Sequence, residues 1–384
     1  MKTKKFFAIL MITIMLGSAA HAEFVDVDSD NPAYEEISVL SALGIINGYE
    51  DGSFLPEAKV TRAEFCALIA RFIGAFHVSN AETGFTDVPY EHWASGYISI
   101  LTNAGIINGM GDGRFAPEAE ITYEQAVKMI VFSLAYEVMA NKAGGYPNGY
   151  MLIGNQIGVT KGTLQTAGGL SRVTVARLLF NALTTPCIEN GGYAGISDAS
   201  APRRNYTTLY KKFEIIVAEA KIVSFSGNMA NLEYKNLDEC AILNGWHINK
   251  TAGELGVLPN SVSIEGVNVS DSLGLTANVY IDISDYQNFK ILISVPKKDI
   301  PTIETNSNLL IDKNKNGYIE YYKTETDEIL TKSKISDNIA VYNNLNLAKY
   351  DNIKVKSDRL SPPISYKYAD TDSDGIFDTV FIEK

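Results

Sequence analysis

Two arginines stand directly after residues that are typical helix N-caps. Arg62 follows Thr61, and Arg172 follows Ser171, so both arginines are expected in the first turn of a helix. Free backbone amides, the helix dipole and a guanidinium group all favour a bound carboxylate at such a place. The spacing therefore predicts carboxylate-binding sites at Arg62 and Arg172. The alternative is that both are solvated or ion-paired surface arginines.

The helix predicted after the first of these caps has a well-defined start. Thr61 and Glu64 fit a capping box, and Thr122 and Gln125 repeat the pattern 61 positions later. Apolar residues then recur at the spacing of a core-facing helix stripe, at Phe65, Leu68, Ile69, Phe72 and Ile73. In the second copy the residue after the cap is Tyr123, so the repeat keeps the cap and changes the residue that could bind an anion.

Residues 24–61 recur 61 positions later without a gap, and the turns agree best. The corner Gly-Ile-Ile-Asn-Gly ends at Gly48 in the first copy and at Gly109 in the second. We expect these two glycines to serve the backbone and not to contact a ligand. A third, eroded copy has a similar corner at 157–162 but lacks the Asp-Gly turn that follows it. Duplicated units usually bury their apolar faces against each other, so the pattern predicts three packed helical units.

The ordered motifs F-x-D-V, W-A-x-x-Y-I, A-G-I-I-N-G, D-G-x-F-x-P and V-T-R-A-E resemble the S-layer homology (SLH) family. Three tandem SLH copies anchor bacterial surface proteins to the cell wall. The resemblance implies a mainly helical, pseudo-three-fold domain with repeats at 23–80, 81–144 and, in degenerate form, 145–188. It also implies that grooves between the repeats bind a pyruvylated secondary cell wall polysaccharide without a covalent bond. A ketal-linked pyruvate would supply the carboxylate expected at the two arginines.

The resemblance implies further groove residues. Asp87 and Trp93 of the second copy would line a groove, Trp93 as an apolar platform on its helix and Asp87 holding a sugar hydroxyl or a loop. The first copy has Asp26 but carries Pro32 at the place of the tryptophan. Tyr123 could still pack on the face of a sugar. Alternatively, Trp93 is a core or rim aromatic, and the two aspartates are turn or cap residues.

Helical periodicity gives way to short β-rich runs after residue 188, beyond a Gly- and Pro-containing linker at 189–204. Alternating apolar and β-branched residues predict a β-rich domain at 205–300, a barrel or a sandwich, and a second β-rich segment at 301–384. Strands are expected near 213–225, 261–269, 278–283 and 289–295. The fold class expected is α+β and multidomain, with the helical repeat domain first.

Two acidic turns lie in the last segment. Asp370, Asp372 and Asp374 place oxygen atoms at alternate positions before Gly375, as calcium loops do, and with Asp378 beyond it they predict a candidate calcium site. Neither turn has a glutamate at the twelfth position, and both are flanked by strand-like sequence, so a hairpin turn is the alternative. The hairpin is favoured for the turn that starts at Asp312, which contains two lysines.

The N-terminal sequence indicates where the protein is located, and the net charge limits the partners it can bind. Residues 1–22 read as a signal peptide, with lysines, an apolar run and a small-residue cleavage site in order. A secreted protein of the cell wall or cell surface is therefore expected, with no membrane span after cleavage. The net charge of −12 disfavours nucleic acid, which relies on Lys and Arg to neutralise phosphates. A sugar polymer or another protein is the more plausible partner.

Sequence motifs give little support for catalysis. The histidines beyond residue 22 are His77, His92 and His247, without metal-site or triad spacing. A non-enzymatic anchor that displays a β-rich domain is expected; a self-assembling S-layer lattice subunit and a wall-anchored carbohydrate-active enzyme are the alternatives. Export would permit a disulfide between Cys187 and Cys240, and the sequence leaves that pairing open.

Overall fold

The computed structural model of the chain describes residues 24–188, 206–243, 246, 248, 257–285, 287–298, 300–315, 317–324, 329–343, 346–348, 363–371 and 373–383. The predicted signal peptide at 1–22 and the predicted linker at 189–204 lie outside these residues.

Helices dominate the N-terminal half. In chain order the helices are α1 (Tyr34–Ala42), α2 (Arg62–Phe72), α3 (Ser95–Asn103), α4 (Tyr123–Ser133), α5 (Glu137–Lys142), α6 (Asn148–Gln156), α7 (Arg172–Thr184), α8 (Thr208–Phe213) and α9 (Glu239–Leu243). Within the described residues, no helix has both the length and the apolar character needed to cross a bilayer.

Both predicted capping boxes are confirmed. At α2 the Thr61 hydroxyl accepts the Glu64 amide at 3.2 Å, and the Glu64 carboxylate accepts the Thr61 amide at 2.7 Å. Thr122 and Gln125 make the same reciprocal pair at the start of α4. These bonds satisfy amides that a helix start otherwise leaves without a partner, so both helices begin where the local sequence directs.

The three helical units join through a closed ring of backbone hydrogen bonds just before α2, α4 and α7. The Val60 amide donates to Leu170, the Leu170 amide to Ile121, and the Ile121 amide to Val60, at 3.0, 3.0 and 2.9 Å. All three side chains are buried. Each unit therefore contributes one donor and one acceptor, and the ring brings the starts of the three helices together.

Strands form the C-terminal half. They are β1 (Ile215–Ser226), β2 (Met229–Leu237), β3 (Ser261–Ser263), β4 (Thr276–Asp282), β5 (Lys290–Pro296), β6 (Thr302–Asn306), β7 (Leu310–Lys315), β8 (Tyr318–Tyr321), β9 (Thr331–Asn343), β10 (Asn346–Ala348), β11 (Ser365–Ala369) and β12 (Phe377–Glu383).

The strands form two sheets. In the first, pairing follows the order β1-β2-β3-β5-β4, and β4 pairs again with β1. Strands β3 and β5 are paired at a single residue pair, Ser263 with Lys290, so the ring of strands is held together weakly there. The second sheet has the order β6-β11-β12-β9-β8-β7, with β10 beside β9 and a parallel β9–β12 pair. The chain is thus a mixed α and β structure with two β-sheets.

The strands expected near 213–225, 278–283 and 289–295 are confirmed as β1, β4 and β5, with ends shifted by one or two residues, whereas the strand expected at 261–269 was wrong in extent. The run at 261–269 forms only the three-residue β3, because a turn at Gly266 ends it. Phe213 belongs to α8 and not to β1. Strand β5 continues through Pro296, which pairs with Ala277. Strand β2 was missed, although Ala230, Leu232 and Tyr234 alternate with exposed polar residues in its sequence.

The helical units and the first sheet share one apolar core. The cluster formed by the helices, which includes Leu209 of α8, also contains four residues of the first sheet: Ile215, Tyr280, Ile293 and Val295. The interior of the first sheet and the face of the second sheet form separate clusters. The first sheet is therefore packed directly against the repeat units.

Candidate functional site

Arg62 lies in a groove between the first and second units, which we call the Arg62 groove. Its Nε donates to the Phe115 carbonyl at 3.0 Å, and its guanidinium carbon lies 4.4 Å from the centre of the Phe115 ring. The residue is 7% exposed, and burial lowers the pKa of Arg62. Arginine nevertheless remains charged in proteins. Phe115 therefore holds the guanidinium at the base of the groove by stacking and by a hydrogen bond.

The Arg62 groove is a cavity of about 290 Å³. Asn108, Gly109 and Met110, from the corner of the second unit, form part of its wall. Among the described residues, Nε is the only nitrogen of the Arg62 guanidinium with a hydrogen-bond acceptor. The two terminal nitrogens of the fork therefore remain available to a ligand in the cavity.

Lys128 adds a second cation to the lining of the groove. Its ammonium donates to the Ile106 carbonyl at 2.6 Å and lies 5.4 Å from the centre of the Phe132 ring. Burial lowers the pKa of Lys128. Two partly desolvated cations beside one cavity favour an anionic ligand, because Coulomb attraction is stronger where water is excluded.

Tyr146, from the third unit, completes the lining of the Arg62 groove. It follows two glycines with positive φ, Gly144 and Gly145, and its side chain is 54% exposed. Partial burial raises the pKa of Tyr146, so its hydroxyl stays protonated near neutral pH. An exposed aromatic ring beside a cation suits the apolar face of a sugar.

Sequence reasoning missed Tyr146, although a signal was present. Gly149-Tyr150 corresponds to Gly96-Tyr97, which puts Tyr146 at the place of Trp93. The structure supports this match: a Cβ on Gly149 or on Gly96 would lie 2.0 Å from a backbone carbonyl oxygen, of Ala140 and Ser79 respectively.

Arg172 lies between the third and first units, in what we call the Arg172 groove. Its Nε donates to the Phe54 carbonyl at 2.7 Å, and its Nη2 donates to the Asn47 carbonyl at 2.7 Å. The guanidinium carbon lies 4.5 Å from the centre of the Phe54 ring and 5.0 Å from that of Tyr49. Burial lowers the pKa of Arg172. This arginine matches Arg62, but one of its terminal nitrogens is already bound.

Tyr123 stands at the third junction, between the second and third units. Its side chain is 2% exposed, and its hydroxyl lies 2.5 Å from the Thr163 hydroxyl. Glu124 and Gln165 form a further hydrogen bond across the same junction. The ring of Tyr123 is therefore packed inside the protein and offers no exposed face to a sugar, contrary to the expectation from sequence.

The expectation of free amides at the two helix starts was wrong. The amides of Arg62 and Ala63 donate to the carbonyls of Ala119 and Pro117, at 2.8 and 3.0 Å. At α7 the amides of Arg172 and Val173 bind carbonyls of the first unit in the same way. Packing between units uses these donors, so an anion would bind the arginine side chains and not the helix amides.

Asp26 and Asp87 hold loops. The Asp87 carboxylate accepts the Phe115 and Ala116 amides at 2.8 and 2.7 Å, and Asp26 accepts the matching amides of Phe54 and Leu55. Desolvation raises the pKa of Asp87, but the two amide hydrogen bonds outweigh it and the net pKa is lowered. Each carboxylate uses both oxygens within the loop, so the two aspartates position the phenylalanines beneath the arginines.

Ala116 and Leu55, the residues clamped by these carboxylates, have φ of 59° and 53°. Backbone in this region is unfavourable for residues with a side chain, so the aspartate bonds stabilise a strained turn. Gly48 and Gly109 permit close packing, since a Cβ would lie 2.5 and 2.6 Å from the rings of Phe24 and Phe85, and Gly109 also lines the Arg62 cavity.

Trp93 precedes α3 instead of lying on it, because that helix begins at Ser95. Its side chain is 43% exposed and stacks on His92, with 6.0 Å between the ring centres. The His92 ring lies 3.5 Å from a carboxylate oxygen of Glu118. Trp93 does not line the Arg62 cavity.

The candidate calcium residues are bound to the protein itself. Asp370 accepts the amides of Asp374 and Gly375 at 3.2 and 2.9 Å, and Asp378 accepts the Thr371 hydroxyl at 2.6 Å. Asp372 lies outside the described residues. Within the part of the chain described, no three His, Cys, Asp or Glu residues are grouped to hold a metal. These contacts favour the hairpin turn.

The turn from Asp312 is also a hairpin: β7 pairs with β8, and Gly317 has φ of 77°.

Cys187 donates to the Tyr206 carbonyl at 2.9 Å. The side chain of Cys240 lies outside the described residues, so the pairing with Cys187 that the sequence leaves open is not tested.

The fold and the Arg62 groove define a tandem-repeat protein with a cation-lined cavity between its units. The sequence profile of the S-layer homology domain matches residues 23–66 and 84–127. Relatives include a "Cell surface protein" of Thermoanaerobacter kivui, 31% identical over 48% of this chain and 24% of that protein. A "Surface layer protein" of Brevibacillus choshinensis is 29% identical over 67% of this chain and 22% of that protein.

A "Cellulosome-anchoring protein" of Acetivibrio thermocellus is 32% identical over 31% of this chain and 27% of that protein. The chain spans about a quarter of the length of these curated relatives. The chain is a cell-surface protein that contains S-layer homology domains, and it is secreted and associated with the cell wall.

Proposed function

We propose that this chain anchors itself to the cell wall by binding a wall polysaccharide between its repeat units, without catalysing a reaction. Three SLH units in a pseudo-three-fold arrangement form the anchor, and the β-rich half is displayed at the surface. The observation that carries the proposal is the Arg62 groove: a stacked guanidinium with two available nitrogens beside Lys128 and Tyr146.

The ligand proposed for this groove is a sugar that carries a pyruvate ketal. Its carboxylate would accept two hydrogen bonds from the Arg62 fork, the arrangement in which arginine binds carboxylates best. Its ring would lie against Tyr146. The Arg172 groove is the weaker site, because Asn47 already occupies one terminal nitrogen of Arg172. The third junction does not bind, because Tyr123 fills it.

A pull-down on purified wall polysaccharide, with and without its pyruvate groups, tests the proposal. Native protein should bind the pyruvylated polymer, and Arg62→Ala should reduce binding more than Arg172→Ala. Arg114→Ala is the matched control, because Arg114 is exposed and its guanidinium pairs with Asp112 at 2.6 Å. Equal retention of the native protein and of Arg62→Ala on the pyruvylated polymer would refute the carboxylate-binding role.

The lattice subunit is a second proposal, favoured by the relative named a surface layer protein. Ordered sheets of the purified chain in electron micrographs would support it. Anchoring and self-assembly are compatible, so this experiment bears on the displayed half and not on the grooves.

A further inference from the structure

A second cavity, of about 460 Å³, lies where the first unit meets both sheets; we call it the junction cleft. One wall comes from the segment before α1 and from α1 itself, with Asp30 and Ser38. The opposite wall comes from the end of β5 and from β11, with Ser294, Lys298 and Lys367. The cleft is separate from the Arg62 groove, since the two cavities share no lining residue.

Contacts next to the cleft fix its walls relative to one another. The Glu35 carboxylate of α1 accepts the Asn278 amide at 2.9 Å and the Tyr280 hydroxyl at 2.7 Å, both from β4. Lys298 donates to the Asn31 carbonyl. These hydrogen bonds hold the first unit against the first sheet and so fix the position of the two walls of the cleft.

The charges in the cleft largely cancel. Lys297 lies 3.2 Å from a carboxylate oxygen of Glu219, and Lys367 lies 3.9 Å from one of Glu304. The carboxylates of Asp30 and Asp271 also line the cavity. An anion would face these acids with few uncompensated cations, so the cleft is unlike the Arg62 groove.

Hydroxyls and an apolar floor complete the lining. Ser29, Ser38 and Ser41 line the cavity and carry hydroxyls. Val27 and Ile293 contribute buried apolar surface. An apolar ligand would leave these polar groups without hydrogen-bond partners.

We propose that the junction cleft binds an uncharged saccharide unit. Sugar hydroxyls both donate and accept hydrogen bonds, which matches a lining of ammonium groups, carboxylates and hydroxyls in one cavity. The apolar carbon face of the ring would lie on the floor. The volume lies within the usual range for small-ligand sites. The site would recognise neutral sugars of the wall, independently of the carboxylate recognised by Arg62.

Calorimetry on the full chain tests the proposal with two neutral probes. One is wall polysaccharide from which pyruvate has been removed, and the other is a tetrasaccharide of N-acetylglucosamine, which represents the glycan of peptidoglycan. Binding of either probe supports the cleft and identifies the source of the sugar. Absence of binding by both would overturn the proposal.

Variants then locate the binding. The double variant Asp30→Ala, Asp271→Ala should weaken binding at least tenfold, and Ser38→Phe should abolish it by filling the cleft. Asp28→Ala is the control, because Asp28 is an exposed acid of the same segment that does not line the cavity. Arg62→Ala should leave neutral binding unchanged, which separates this site from the anchoring groove. Equal affinity of the native chain and the double variant would overturn the assignment.

Discussion

Replacement of Arg62 by lysine should weaken polysaccharide binding although the charge is kept. In the native groove, Nε binds Phe115 and leaves both terminal nitrogens for the carboxylate. A lysine has one ammonium, which cannot stack flat on the ring or present two parallel donors.

The expected loss is one charge-assisted hydrogen bond, roughly 1.5–3 kcal/mol. Since about 1.4 kcal/mol corresponds to a tenfold change, the dissociation constant should rise by about 10- to 150-fold. The variant also loses the stacking on Phe115 and the Nε bond, so its stability should fall by about 1–2 kcal/mol. Binding must therefore be measured well below the unfolding transition.

Calorimetric titration with a pyruvylated fragment of the wall polysaccharide is the appropriate assay. Arg114→Lys is the control, because it also replaces an arginine by a lysine and keeps the charge. The control should bind like the native protein. A dissociation constant for Arg62→Lys within twofold of the native value would refute two-point recognition of the carboxylate and reduce Arg62 to a structural residue.

Three further predictions concern stability. Tyr123→Phe should lower the free energy of unfolding by roughly 1 kcal/mol, because the hydrogen bond to the Thr163 hydroxyl is lost. Polysaccharide binding should be unchanged, and a tenfold loss of binding would mean that the third junction is a binding site. Ala116→Gly should raise the free energy of unfolding by up to about 1 kcal/mol in urea titrations, because glycine relieves the positive φ; a decrease would contradict this. Burial raises the pKa of Asp238 from 3.8 to about 6, although the hydrogen bond from the Ala241 amide acts in the opposite direction. The protonated form of Asp238 therefore stabilises the fold at low pH. That contribution, of roughly 2–3 kcal/mol, should be lost as pH rises from 4 to 7 and be absent from Asp238→Asn.

The local features of the helical half could be read from the chain. The caps at Thr61 and Thr122 involve residues three positions apart, so their hydrogen bonds depend on contiguous sequence. The turns at Gly44 and Gly105 have φ of 69° and 74°, as glycine-ended helices require. The β-rich half was predicted less well, because strand pairing depends on partners far along the chain.

The candidate site shows the same division. The sequence by itself predicted binding at Arg62 and Arg172, because each follows a helix N-cap residue, whereas the second copy has Tyr123 at the matching place. Only the tertiary structure decided what surrounds them. Arg62 meets Phe115, 53 residues away, and Arg172 meets Phe54, 118 residues away.

The physical reason is that the ring of backbone bonds through Val60, Ile121 and Leu170 brings three distant segments together. The same packing uses the helix amides that the sequence had suggested for an anion, and it adds the ring of Tyr146 to the groove of Arg62. Local hydrogen bonding is encoded by neighbouring residues, whereas a groove between units exists only after the chain has closed on itself.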